Sequence, residues 1–290
     1  MNIKRLFTVS LALCIVSGLF AQMAQNVTYA NKKQIEDFFN TKTMIVMDAD
    51  PLIGYNIVIS NAAKKYWTLT PYDLITSDQF ENMRSDPQLS FIFLSRVQRE
   101  KDKDEVYYLF MNVVLGAKVK DLNKMPTLLM LPLAYTGVDE DNYVDILPLM
   151  LRFTQVHLNN LKTAKNPSLV YNLKNYSSEA IQLKNKTLLV KESDLSEEVN
   201  TIEKIQQVYA GTVKIVSSEE IVQAIEEKAP DTAILHQIGP SADENKGRSY
   251  CQIFSTDNAK MYYHNNVNIT QRRPEGMLAR DFRLISGKWF

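Results

Sequence analysis

Residues 139–165 read DEDNYVDILPLMLRFTQVHLNNLKTAK, and the fold turns on how this stretch is taken. Asp139, Glu140 and Asp141 place negative charge where a helix N-terminus favours it, and Lys162 and Lys165 place positive charge at the other end. Apolar residues recur at Tyr143, Ile146, Leu147, Met150, Phe153, Val156 and Leu161, close to the helical period, so one face is expected to be buried. Pro148 has no amide hydrogen and either kinks the helix or marks its true first turn. The spacing predicts a linker helix of about four to six turns between two lobes.

Working outward, the flanks read as two diverged copies of one unit, at a nearly constant offset. Lys42, Thr43, Met44, Ile45 and Val46 match Lys186, Thr187, Leu188, Leu189 and Val190; Leu52, Ile59 and Tyr66 match Leu195, Ile202 and Tyr209. Thr76-Ser77-Asp78-Gln79-Phe80 matches Ser217-Ser218-Glu219-Glu220-Ile221, and Pro87 and Phe110 match Pro230 and Phe254. Thr76 and Ser217 each have Gln or Glu three residues on, the pattern of a capping box. The fold class expected is α/β: two tandem copies of a small α/β sandwich, mostly parallel sheet with an antiparallel edge strand, joined by a long helix. The divisions are 1–21 signal peptide, 22–138 first domain, 139–165 linker helix, and 166–290 second domain with a C-terminal helix.

Within the first copy, residues 31–40 predict a short helix and 43–47 an apolar strand. Residues 52–66 have strand-like composition in part but three-four spacing, and the charged, helical pattern of 196–205 in the other copy decides both for helix. A strand over 67–75, bent at Pro71, a capped helix, a buried strand at 90–95 or 232–238, a charged turn at 98–105 or 241–248, and a final strand at 106–115 or 250–255 complete each copy. Residues 125–135, MPTLLMLPLAY, read as an extended cover over the first lobe. Residues 276–285 read as an amphipathic helix with Met277, Leu278, Phe282 and Ile285 docked, and Arg280, Asp281 and Arg283 facing water.

The first 21 residues have the layout of an export signal: Lys4 and Arg5, an apolar run to Phe20, and Ala21 before the cut. That apolar run is short for a membrane span. The ending Leu19-Phe20-Ala21-Gln22 resembles signal peptides of exported Bacteroidota proteins, and the duplicated layout behind it resembles uncharacterised exported proteins of that group. The remaining ~270 residues suffice for two domains that each bury a core. With 33 basic and 33 acidic residues the chain lacks the positive surplus that binding to a phosphate backbone demands, so nucleic acid is not an expected partner. Only Cys251 follows the signal, which excludes an intramolecular disulfide in the mature chain.

Asp48-Ala49-Asp50, closing an apolar strand, resembles the first motif of the haloacid dehalogenase-like phosphatases. The resemblance implies Asp48 as nucleophile, Asp50 as general acid, Mg2+ held by carboxylates, and Ser95, closing a later strand, as a phosphate contact. The chain departs from that family in having Pro51-Leu52 after the motif, and no matched Lys and acid pair emerges from Lys118, Lys120, Asp139 and Asp141. The other reading is that Asp48 or Asp50 caps the next helix, as Ser193 or Asp194 would in the second copy. Cys251 with His236 or His264 has the composition of a thiol nucleophile and base, but a Cys inside an apolar strand pattern packs as a small hydrophobe. His157 sits on the linker helix with no second ligand at metal spacing. Tyr66, Trp67 and Tyr72 read as core and edge packing before they read as a sugar platform. Two lobes also resemble periplasmic solute receptors, which hold ligands in an interlobe cleft.

The sequence thus points to an exported, non-catalytic binding or assembly module of the bacterial cell envelope, periplasmic or at the cell surface, with a protein partner there, no cofactor and no membrane span after signal removal. The alternatives are a phosphohydrolase using Asp48, Asp50 and Ser95 with Mg2+, or a two-lobed solute receptor.

Overall fold

Asn31 opens the first helix: its side chain accepts a hydrogen bond from the Gln34 amide while its own amide donates to the Gln34 side chain, and from there the chain alternates helix and strand. In the computed structural model, residues 21–22, 27–50, 53–98, 106–136, 141–240 and 247–287 are described. The expected export signal up to Phe20, Pro51 and Leu52, most of both charged turns, and Asp139 and Glu140 lie outside them.

The elements of the first half are β1 (Ala21–Gln22), α1 (Lys32–Phe38), β2 (Lys42–Val46), α2 (Gly54–Tyr66), β3 (Tyr72–Ile75), α3 (Ser77–Met83), β4 (Leu89–Val97), β5 (Tyr108–Leu115) and β6 (Thr127–Tyr135). Helices α4 (Asp141–Val144), α5 (Leu147–Thr163) and α6 (Pro167–Tyr171) and a 3-10 segment, Leu173–Asn185, follow. The second half holds β7 (Thr187–Val190), α7 (Ile202–Gln206), β8 (Thr212–Ile215), α8 (Ser218–Glu226), β9 (Thr232–Ile238), β10 (Arg248–Ser255), β11 (Met261–Asn268) and α9 (Ala279–Ile285).

The first sheet has the order β3-β2-β4-β5-β6, with β1 beside the far end of β4; the second has β8-β7-β9-β10-β11. Taken strand for strand, the two orders are the same. In each, the first three strands are parallel and the last two antiparallel. The registers agree as well: Thr43 faces Tyr72 and Ser90, and Thr187 faces Thr212 and Thr232. Thr76 and Ser217 both close capping boxes, on α3 and α8.

Four expectations need correction. Each sheet has two antiparallel strands rather than one at the edge, because residues 125–135 supply β6 and the polar stretch around His264 supplies β11. Residues 67–71 are not strand; β3 starts at Tyr72, after Pro71, whose missing amide hydrogen cannot serve a ladder. Residues 196–205 are a 3-10 turn and then the short α7, because the Thr201 hydroxyl caps the Lys204 amide and starts a new helix there. Asp281 does not face water: it is buried and accepts hydrogen bonds from Tyr263 Oη at 2.6 Å, Asn265 Nδ2 at 3.0 Å and the Leu278 amide at 3.1 Å.

The stretch 139–165 is also not one helix. The short α4 precedes α5, and Pro148 lies in the first turn of α5, where its missing donor costs nothing. Leu149 to Thr154 are all buried, so the first half of α5 is enclosed all round and not on one face alone. It packs on α2 and α1 on one side, while Phe153 meets Phe254 of β10 at 5.2 Å between ring centres on the other. The halves therefore do not keep separate cores: one apolar cluster runs from Ile45 and Ile92 of the first sheet through Phe153 to Ile234, Phe254 and Ile225 of the second half. The outer face of the second sheet has its own cluster, closed by α9 through Phe282 and Ile285.

Candidate functional site

Strand β6 is the edge of the first sheet, and an edge carries a row of backbone groups that need partners. Pro132 removes one donor from it, and a bulge leaves Leu133 as the extra residue between Pro132 and Ala134. The inner face of the second sheet supplies what is missing. Its neighbours in register, His236 on β9 and Gln252 on β10, donate from Nε2 to the carbonyls of Leu133 at 2.8 Å and Pro132 at 3.0 Å. From α5, His157 Nε2 donates to the Leu128 carbonyl at 3.0 Å, while its Nδ1 faces the Tyr176 hydroxyl at 3.0 Å. Each carbonyl can only accept, so each imidazole carries hydrogen on Nε2. Burial, which penalises the charged ring, pulls the pKa of His157 and of His236 down to about 4.

Two further residues bond across the halves. Arg152, buried on α5, donates to the carbonyls of Thr256 at 2.8 Å and Asp257 at 2.6 Å, and burial lowers its pKa. Tyr108 Oη of β5 donates to the Arg248 carbonyl at 2.9 Å. Beside it, Gly247 has φ +93°, and a Cβ there would sit 2.8 Å from that hydroxyl, so both the backbone conformation and the approach require glycine.

On the side of β6 away from α5, this docking leaves a cleft of about 820 Å³. Its floor is largely apolar: Val97, Phe110, Met130 and Pro132 from the first sheet meet Tyr250 of the second, whose ring stands edge-on to Phe110 at 6.0 Å, and His264 and Asn266 of β11 border it. Its rim comes from the N-terminus of α1 and from the chain between α5 and β7. Tyr29 and Tyr171 stack across that rim at 4.4 Å, and Tyr171 Oη donates to the Ala30 carbonyl at 2.7 Å. Lys32, Lys165 and Lys174 line the cleft, and among the described lining residues none is acidic.

The residues singled out from sequence have other employment. Asp48 Oδ1 accepts from the Asp50 amide at 3.0 Å, and Asn56 ties the same turn by accepting from the Asp48 amide and donating to the Asp48 and Asp50 carbonyls. The N-cap position of α2 is held by Ile53, which makes no side-chain bond, and not by Asp48 or Asp50, because the chain turns before the helix begins. Ser95 is fully buried in β4 and accepts from Asn112 Nδ2 at 2.8 Å inside the core. Among the described residues, no group of three or more His, Cys, Asp or Glu side chains is placed to hold a metal ion. Cys251 belongs to the outer core of the second sheet, whereas His236, one position from its register partner, bonds toward β6 on the inner face; thiol and imidazole are on opposite sides. Burial pushes the Cys251 thiol well above its ordinary pKa, which suits a packed hydrophobe and not a nucleophile. In the second copy Asp194 is buried in a 3-10 turn, its pKa raised to about 7 by burial, with Lys191 at 3.8 Å. Trp67 is buried with Nε1 on Thr70, and Tyr66 lies under Arg152 and Lys228.

No sequence motif marks the cleft, because its residues come from seven separate stretches of chain. One trace was available: no acidic residue stands between Asp145 and Glu179, a run that carries Lys165 and Lys174.

Fold and site together define a mixed α/β protein of two like-ordered sheets with a cleft between them. Compared with protein-family models, curated proteins and solved structures, the chain gives no match.

Proposed function

We propose that this chain is an exported, non-catalytic binding protein of the bacterial cell envelope, made of two duplicated halves that α5 holds together, and that it carries a small ligand in the cleft between them. The observation that carries this reading is the cleft itself: apolar below, basic at the rim, free of acidic side chains among its described lining residues, and of a volume suited to small molecules. The side chains considered for catalysis are meanwhile tied into turns and cores. Among the described residues no helix is long and apolar enough to cross a membrane, so the reading gives the folded part no spanning role. Of the alternatives, the solute receptor lies nearest. The bonds from His236, Gln252 and Arg152 across the halves favour a preformed cleft over one made by hinge closure.

The test is to recover the protein from its native envelope, identify small molecules released from it by mass spectrometry, and repeat this with Met130→Trp, which fills the floor. Ser168→Trp at the exposed rim serves if the first variant fails to fold. A stoichiometric ligand present in wild type and absent from the variants supports the proposal. Turnover of phosphate esters with Mg2+ that Asp48→Asn abolishes would replace it with the phosphohydrolase.

A further inference from the structure

Resting on that assignment of the cleft, we infer that its ligand is an anionic amphiphile: a single-chain molecule with a carboxylate or similar head and an extended apolar body, taken up free from solution. Three observations converge. Lys32, Lys165 and Lys174 are exposed around the rim, and none is in an ion pair among the described residues, so their charge is available to a ligand. No acidic side chain among the described lining residues offsets them, so the rim attracts anions and disfavours cations. Below the rim the first sheet offers apolar side chains, Val97, Phe110, Met130 and Pro132, with the Tyr250 ring beside them, and only His264 and Asn266 of β11 add polar groups to that wall.

The apolar surface also runs outward. Tyr29 is 46% exposed and Leu169, next to the lining residue Ser168, is 60% exposed, two of the few large apolar side chains left in water among the described residues. A ligand whose body lies on the floor and rises past these residues would remove that surface from water. A bare inorganic anion would leave it wet. A nucleotide is a poorer fit, because the Tyr29 and Tyr171 rings are stacked on each other at 4.4 Å with no gap for a base.

The experiment is isothermal titration of the mature protein with dodecanoate, dodecyltrimethylammonium and inorganic phosphate, each below micelle formation, in wild type, in Lys165→Glu with Lys174→Glu, in Ser168→Trp and in Met130→Trp. The inference requires that dodecanoate bind wild type at least tenfold more tightly than either comparison compound, and that the double lysine variant erase this preference. Equal affinity for the two amphiphiles, phosphate bound as tightly as dodecanoate, no binding of dodecanoate, or an unchanged double variant would each overturn the ligand class. Capture of the protein by phosphatidylglycerol vesicles, with dodecanoate failing to bind, would overturn uptake from solution. Failure of the site is read separately: if Ser168→Trp and Met130→Trp both bind dodecanoate like wild type, the ligand lies elsewhere and the cleft is not the site.

Discussion

Arg152 and the two neutral histidines tie the halves together at the level of single residues. Arg152 bonds two carbonyls that lie near one another in sequence but belong to the other half of the molecule. Hydrogen bonds from a charged donor contribute about 1.5–3 kcal/mol each, so Arg152→Met should lower the free energy of unfolding by about 3 kcal/mol, measured by urea titration. His157 and His236 make stability depend on pH. Each ring has a folded pKa of about 4 against an ordinary value of 6.5, so in that interval the unfolded chain takes up protons that the folded one refuses. Stability is full above pH 6.5 and is lost as pH falls toward 4, by roughly 3 kcal/mol per histidine at most. Asp194 acts in the opposite sense: its raised carboxyl pKa gives stability that is full below about pH 4 and is lost as pH rises through 7. A difference measurement isolates the histidine. The His236→Gln variant keeps a donor for the Leu133 carbonyl but cannot titrate there, so wild type should lose stability relative to it between about pH 6.5 and pH 4.5. A pH-independent difference would mean that His236 is not held neutral.

Among the elements, α5 reaches from the first half to the second through Phe153 and Arg152. Phe153 is fully buried against Phe254, Tyr176 and His157, so Phe153→Ala should cost roughly 3–5 kcal/mol by denaturant unfolding. Gln155 is no neutral control, since it accepts from the Thr68 amide and donates to the Tyr66 carbonyl at the end of α2. Asn159, exposed on the same helix, is the control that should leave the midpoint unmoved. The capping boxes show why part of the fold was legible in sequence: Thr76 and Ser217 act through residues three positions away, and such local chemistry can be read along the chain. Thr76→Ala and Ser217→Ala should each cost about 1 kcal/mol. The fifth strand of each sheet was not legible for the converse reason. Pro132 and the polar run of β11 look unlike strand, yet an edge strand tolerates a proline and takes its partners from distant side chains. Asp281 reads as a solvated charge for the same reason, until Tyr263 and Asn265 are seen to reach it from β11. The cleft is the extreme case, a site assembled from seven stretches with only an acid-poor run to hint at it.

Over the whole molecule, two like-ordered sheets share one core because the open edge of the first meets the inner face of the second. The polar row His236 and Gln252 satisfies β6, α5 seals one side of the contact, and the cleft is what the other side leaves open. The cleft therefore exists only while the halves are docked, and that docking is the central claim. Native-state hydrogen exchange tests it most directly, because amides that open in one cooperative unit share one free energy of opening. The account predicts that the slowest amides of β4, β5 and β6 and those of β9 and β10 exchange with a single common free energy, and that Arg152→Met lowers both sets by the same amount. Two separate plateaus, with Arg152→Met leaving one of them unmoved, would contradict it.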